Sequence, residues 1–227
     1  DHLIVTSDEM RDIAARCGAD PAQMSVVPNF LLGQVVRHDH QLTGPLVVGS
    51  LGRLTRRKGF DMLVAAAAHA KAQGLDFRLV IGGTGEEASR LAAQAKELGV
   101  ALELPGWVGN ADKSAFLQGL DVFVCPSRFE PFGNVYLEAM QHGVPIVSAD
   151  TTGARAIFAR PEQAIIVPNE DAQALAQGMA RLLSDEELRK TMGIAGQLRF
   201  AETFSVDVCG PLLSDVVIKT VESWRAR

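Results

Sequence analysis

The sequence has no hydrophobic run approaching eighteen residues, so nothing in it reads as a membrane-spanning helix. It has no basic leader followed by an apolar stretch, the mark of a secretory signal. Its three cysteines, Cys17, Cys125 and Cys209, form no CxxC pair and are odd in number. They imply reduced thiols rather than a disulfide framework, and Cys125, inside an apolar run, reads as core packing. There is no excess of positive charge: 22 Lys and Arg against 27 Asp and Glu give a formal net charge of −5. That excludes a general nucleic-acid binder and leaves phosphate binding to local basic clusters. No Asp-x-Asp cluster suited to a metal-bound diphosphate occurs. His38 and His40 lack a third ligand at suitable spacing and read as solvated. The dinucleotide fingerprint is incomplete as well. Gly82-Gly83-Thr84-Gly85 follows the second strand of the main unit rather than the first, and Ala88 stands where the third glycine belongs. This argues against a nicotinamide-dependent dehydrogenase. No internal repeat or low-complexity segment is present.

What is present is a regular alternation. With 227 residues, 47% of them hydrophobic, the chain can bury a sizeable core. From residue 45, strands are predicted at 46–51, 77–81, 101–104, 122–125, 145–148 and 164–167. Helices are predicted at 60–73, 86–98, 112–119, 134–141 and 152–159. The small side chains of 65–68 suit close helix packing, and Glu86 and Glu87 fall in a first helical turn, where the dipole favours acids. Short apolar strands between helices point to an α/β fold with a doubly wound parallel sheet covered on both faces. Such sheets bind ligands at the carboxyl ends of their strands. After residue 169 the pattern is helical, with segments at 171–183, 185–202 and 206–224. Before the alternation come a strand at 3–7, a helix capped by Ser7 or Asp8 and ended by Gly18, and an extended piece at 25–29. Residues 37–44 read as a linker. A chain that opens inside such a unit is expected to lack its natural N-terminus and about half of a longer protein.

The most informative stretch runs from Ser127 to Met140. An apolar strand leads into Phe129-Glu130-Pro131-Phe132-Gly133-Asn134, and a helix follows. A strand, a tight glycine turn and a helix start line up free backbone N–H groups that, with the helix dipole, favour an anion. Glu130 precedes that anion site and Glu138 lies about one turn into the helix. Both acids can face one ligand with phosphate in its middle and hydroxyls at each end, the outline of a nucleotide sugar. Upstream, Gly52-Arg53-Leu54-Thr55-Arg56-Arg57-Lys58-Gly59 crowds four cations between a strand and a helix. Fixed cations there suit a diphosphate and offset charge that builds on a leaving group.

The run from Phe129 through Met140 and on to Gly143-Val144-Pro145-Ile146-Val147-Ser148 resembles the Glu-x7-Glu motif of the retaining group 1 glycosyltransferases, which have the GT-B fold. The resemblance covers nearly the whole chain. It implies that Glu130 lies against the donor sugar, that Glu138 holds the ribose hydroxyls, and that the amides of Phe132, Gly133 and Asn134 hold sugar and phosphate. Arg53 and Lys58 match the family's diphosphate-binding pair, which leaves Arg56 and Arg57 facing solvent or acceptor. Gly83 is the candidate for close backbone approach to the donor. Trp107 and Val108 are the candidates for passing the nucleotide base, with a plain packing role for Trp107 as an equal alternative. The side chain of Asn134 either bonds a sugar hydroxyl or faces solvent. In Gly153-Ala154-Arg155-Ala156 the sequence departs from the family's usual Gly-Pro-x-Glu, which puts the contacts of that glutamate in doubt.

The resemblance implies three parts. Residues 1–42 form a remnant of the N-terminal domain with the hinge, and residues 43–205 the nucleotide-sugar-binding domain. Residues 206–227 form a helix crossing back to the N-terminal domain, with an exposed apolar face where that domain is absent. The implied reaction moves a hexose from a nucleoside diphosphate sugar to a hydroxyl of a glycan or lipid-linked acceptor, without metal or other cofactor. Its implied setting is cytoplasmic polysaccharide assembly, with peripheral association of the longer protein at the inner membrane face. Two rivals share the architecture: a nucleotide-sugar epimerase or hydrolase, and a non-catalytic nucleotide-binding module.

Overall fold

A computed structural model describes residues 2–36 and 44–225. Residues 37–43 of the expected linker at 37–44, with His38 and His40, lie outside the described residues, as does the expected boundary at 42.

The first unit is small. Strand β1 (Leu3–Val5) pairs in parallel with β2 (Met24–Val26), and helix α1 (Asp8–Arg16) connects them. Ser7 caps α1, its Oγ accepting from Met10 N at 3.2 Å.

The main unit is a six-stranded parallel sheet in the order β5-β4-β3-β6-β7-β8. Its strands are β3 (Leu46–Leu51), β4 (Phe77–Gly82), β5 (Leu102–Glu103), β6 (Val122–Cys125), β7 (Ile146–Ala149) and β8 (Ile165–Val167). The order reverses between β3 and β6, which opens a crevice at the carboxyl ends of these two strands. Buried polar groups stitch that seam: Asp121 Oδ2 accepts from Val47 N at 2.7 Å, and Ser50 Oγ donates to Val124 O at 2.6 Å.

Both faces of the sheet are covered. Val122 and Val124 pack into one core, while Phe123 and Cys125 pack into the other, as the two-residue period of a strand requires. Helices α2 (Phe60–Ala72) and α7 (Ala172–Ser184) cover the first face. Ala66, Ala67 and Ala70 are fully buried on α2, and their small side chains let α2 lie close to α7. Helix α5 (Asn134–Gln141) covers the second face with Tyr136, Leu137 and Met140, backed by Phe200 of α8 (Glu186–Thr203). The remaining helices are α3 (Ala88–Glu97), α4 (Asn110–Gln118), α6 (Thr152–Ile157) and α9 (Val206–Arg225).

One predicted element is corrected. Helix α3 begins at Ala88, so Glu86 and Glu87 precede it. The turn before it is pinned to the loop after β3: Leu54 N donates to Thr84 O at 2.8 Å and Glu87 N to Leu54 O at 3.1 Å. Those bonds tie the turn to the neighbouring loop, and Glu87, already in right-handed helical geometry, serves as the N-cap of α3. Helix α9 exposes Val217, Ile218 and Trp224, and its last turns line, with His2 and Ser25 of the first unit, a cavity of about 740 Å³. Among the described residues no helix is long and apolar enough to cross a membrane.

Candidate active site

Because the strands are parallel, the loops after β3, β4, β5, β6 and β7 gather at one edge of the sheet. Backbone contacts lock them together. Gly83 has φ +139°, and a Cβ there would lie 1.8 Å from Gly52 O, so only glycine fits. Its N–H donates to Gly106 O at 2.7 Å. The backbone at Gly83 thus lies against the loop after β3, and its amide is engaged within the protein.

Lys58 sits on a single 3-10 turn (Arg56–Lys58) directly before α2. Its Nζ lies 2.5 Å from Glu130 Oε2, and the two side chains are only 13% and 8% exposed. Ser127 Oγ donates to the same oxygen at 3.5 Å. Glu130 Oε1 has no protein partner among the described residues. A lysine and a glutamate 72 positions apart thus form a desolvated pair with one carboxylate oxygen unclaimed. Arg53 is exposed and its side chain is unpaired among the described residues. Arg57 is exposed too, but its Nη1 donates to Phe129 O at 3.2 Å, so it braces the Glu130 loop rather than standing free.

The stronger brace is Arg128, which sequence reasoning did not single out. It makes a two-pronged bond to Asp61 at 2.7 and 2.8 Å, reaches Glu170 at 2.8 Å, and donates to Arg56 O at 2.9 Å. Burial pushes the Asp61 carboxyl up, but the bonds and charge of Arg128, with Arg90, hold it below its ordinary 3.8. A lowered folded-state pKa contributes stability that is present above the unfolded value. That stability is lost as pH falls through the lower folded value. Arg128→Met is expected to cost about 2 kcal/mol at pH 7. It is also expected to shrink the stability difference between pH 7 and pH 3, as denaturant unfolding at both would show.

Glu138, on the second turn of α5, meets a residue that the sequence reading missed. Lys113 Nζ of α4 lies 2.7 Å from its Oε1, with the side chains 27% and 15% exposed. His142 ties the same two helices, its Nδ1 donating to Glu138 O at 2.7 Å and its Nε2 lying 2.9 Å from Ser114 Oγ. The carbonyl can only accept, which puts the proton on Nδ1.

Between the acids, the N–H groups of Phe132, Gly133 and Asn134 find no protein acceptor among the described residues. Gly133 caps the helix at φ +90°, a left-handed conformation with no room for a Cβ beside the Tyr136 ring. The Phe132 ring is buried edge-on to Phe204 at 6.1 Å, so only its backbone is available to a ligand. The Asn134 side chain is exposed. Its Oδ1 accepts from Asn29 Nδ2 at 2.9 Å, linking the loop to the first unit. Trp107 is 77% exposed and so packs little against the described residues, whereas Val108 packs against the second core. Gly153 N donates to Glu130 O at 2.7 Å, so the departed loop still carries the backbone of the Glu130 turn. Among the described residues no three His, Cys, Asp or Glu side chains are placed to hold a metal ion.

The structure thus brings Lys58, Glu130, Glu138 and the free amides to one edge, at the switch point of the sheet. The model of the family described as Glycosyl transferases group 1 matches residues 36–199. The chain belongs to that family. Lipopolysaccharide core biosynthesis glycosyltransferase LpsE of Rhizobium meliloti (strain 1021) is 34% identical over 190 residues, covering 81% of this chain and 54% of the relative. Capsular polysaccharide biosynthesis glycosyltransferase CapM of Staphylococcus aureus is 29% identical over 170 residues, covering 74% and 44%. Among solved structures, Anabaena Alr3699/HepE in complex with UDP and glucose superposes with a TM-score of 0.84 at 20% identity, covering 95% of this chain and 62% of that one. At that identity the likeness establishes the fold, the parallel doubly wound architecture of GT-B glycosyltransferases. The chain spans about half the length of the curated relatives it matches.

Proposed function

We propose that this group 1 glycosyltransferase chain binds a nucleoside diphosphate hexose and supports its transfer, with retention of configuration, to an acceptor hydroxyl. The observation that carries the reading is the juxtaposition at the sheet edge. Lys58 lies 2.5 Å from Glu130, and eight positions on Glu138 stands beyond a turn of free amides. A diphosphate seated on those amides would meet Lys58 and the exposed guanidinium of Arg53, which offset the charge that grows as the leaving group departs. Glu130 would accept from a sugar hydroxyl through Oε1 and stabilise positive charge at the anomeric carbon. Glu138 would fix the ribose, and the loop carrying Trp107 would pass the base. Positioning and electrostatics do the chemistry, and no metal is needed.

The uridine nucleotides are the first donors to test, because Alr3699/HepE has been crystallised with UDP-glucose. A relative 30% identical over 178 residues is GDP-mannose-dependent, which makes the guanosine nucleotides the second. Lipopolysaccharide and capsular assembly by the relatives favours a glycan or lipid-linked acceptor in the cytoplasm or at the inner membrane face. The chain alone is expected to bind nucleotide and to transfer little or no sugar. The longer enzyme, given a matching acceptor, should yield product with the donor's anomeric configuration by proton NMR. An inverted product would contradict the mechanism, and robust turnover by the chain alone would contradict the division of labour.

A further inference from the structure

A second cavity, of about 390 Å³, opens where the first unit meets the main sheet. That is within the size of small-molecule sites. Its walls come from carboxyl edges. Thr6 and Ser7 follow β1, Pro28 follows β2, Phe132 belongs to the loop after β6, and Arg155 lies on α6 after β7. Two parallel sheets therefore direct their ligand-binding edges at one space. Lys58, Lys113 and Glu138 do not line it, and Phe132 is the residue it shares with the donor site.

The charges in this cavity are unevenly matched. Asp8 is paired with Arg11 at 2.9 Å. Glu9 accepts from Thr152 Oγ1 at 3.3 Å and lies 3.8 Å from Arg155, which also holds Asp150 at 2.8 Å. Arg199, on α8, has no carboxylate within ion-pair distance among the described residues. Its guanidinium donates to Ile157 O at 3.1 Å and to Thr203 Oγ1 at 3.0 Å, and lies 5.2 Å from the centre of the Phe204 ring. Burial disfavours its charge; Glu202 partly restores it, and Arg160 adds repulsion. An anion beside Arg199 would relieve both the lost hydration and the repulsion. The half-buried Val26 and Pro28, the hydroxyl of Thr203 and the half-exposed carboxylate of Glu9 add the mixture of apolar surface and hydrogen-bonding groups that a sugar ring needs.

We infer that this cavity is an acceptor-side subsite and that it takes a hydroxylated, sugar-sized group bearing a phosphate or a carboxylate, with Arg199 as its anchor. The word acceptor rests on the transferase reading above; the ligand chemistry does not. Ala156, which also lines the cavity, stands where the family's usual loop has its glutamate, so this wall lacks that negative charge.

The test is NMR of the arginine Nε–H signals of the protein, assigned by single substitutions, during titration with glucose 6-phosphate, glucuronate, glucose and inorganic phosphate. One acidic sugar is expected to shift the Arg199 signal saturably, at concentrations about tenfold below those needed for glucose or inorganic phosphate. A preference for glucose 6-phosphate identifies a phosphorylated group, and one for glucuronate a uronate. Arg199→Met, followed through the Arg155 signal, should weaken that binding about tenfold, and Arg155→Met severalfold. No saturable shift at Arg199, or equal shifts with glucose, would overturn the inference, as would binding unchanged in both variants. UDP added to the same samples should shift Arg53. A response at Arg53 without one at Arg199 would leave the donor reading standing and remove this one, and the converse would do the reverse.

Discussion

Lys58→Ala is expected to lower kcat of the longer enzyme by about 100- to 1,000-fold, the size of effect seen when one donor of a preorganised charge-stabilising site is removed. It should also destabilise the fold. Glu130 is 6% exposed, and its Oε2 would be left with only the 3.5 Å contact from Ser127. Leaving a buried carboxylate without its cation costs about 3 kcal/mol. The two effects separate in a double variant. Lys58→Met combined with Glu130→Gln removes both charges, so it should recover most of the lost stability and none of the lost turnover. Denaturant unfolding and initial rates on Lys58→Met, Glu130→Gln and the double variant make the comparison. A double variant that regains activity would mean that Lys58 matters only as the partner of Glu130.

Glu138→Ala should weaken diphosphate binding about 100-fold, because an ionised acceptor bonded to two ribose hydroxyls contributes roughly 1.5 kcal/mol or more through each. The role can be isolated chemically. In the unaltered protein, removing the 2′-hydroxyl from the nucleotide should cost about tenfold. In Glu138→Ala the same removal should cost almost nothing, because the partner is already gone. Lys113 complicates a simple reading, since its ammonium loses the carboxylate 2.7 Å away. Lys113→Met therefore belongs in the same series, and it should leave the penalty for the 2′-deoxy nucleotide largely intact. A Glu138→Ala protein that still distinguishes the two nucleotides would place the ribose elsewhere.

The fold was legible in the sequence where local chemistry decides it. Strands β3 and β6 and helix α5 fall at the predicted residues, because apolar runs bounded by glycine, proline and polar turns leave little choice of boundary. The edge at which the loops gather was legible too, since parallel connection alone places them there. What local pattern could not supply was which loop touches which. Arg128 and Asp61 lie 67 positions apart, and Lys113 and Glu138 lie 25 apart. Neither pair has a periodic signature, and each exists only because the sheet brings two loops or helices side by side. Glu86 and Glu87 show the same limit. Their sequence suits a first helical turn, but the helix begins at Ala88, after a turn that is hydrogen-bonded to the loop after β3. Gly83 is marked in the sequence for close approach to the donor, but a glycine in a sequence does not say what approaches it. Here it is the carbonyl of Gly52.

The most direct test of the donor site is calorimetric titration of the chain with UDP, GDP, ADP and NAD, with and without magnesium, repeated on Glu138→Ala and Lys58→Ala. The expected result is saturable binding of one nucleoside diphosphate, indifferent to magnesium and weakened by both substitutions. A metal-dependent isotherm, binding unaffected by either substitution, or tighter binding of NAD than of any diphosphate would contradict it.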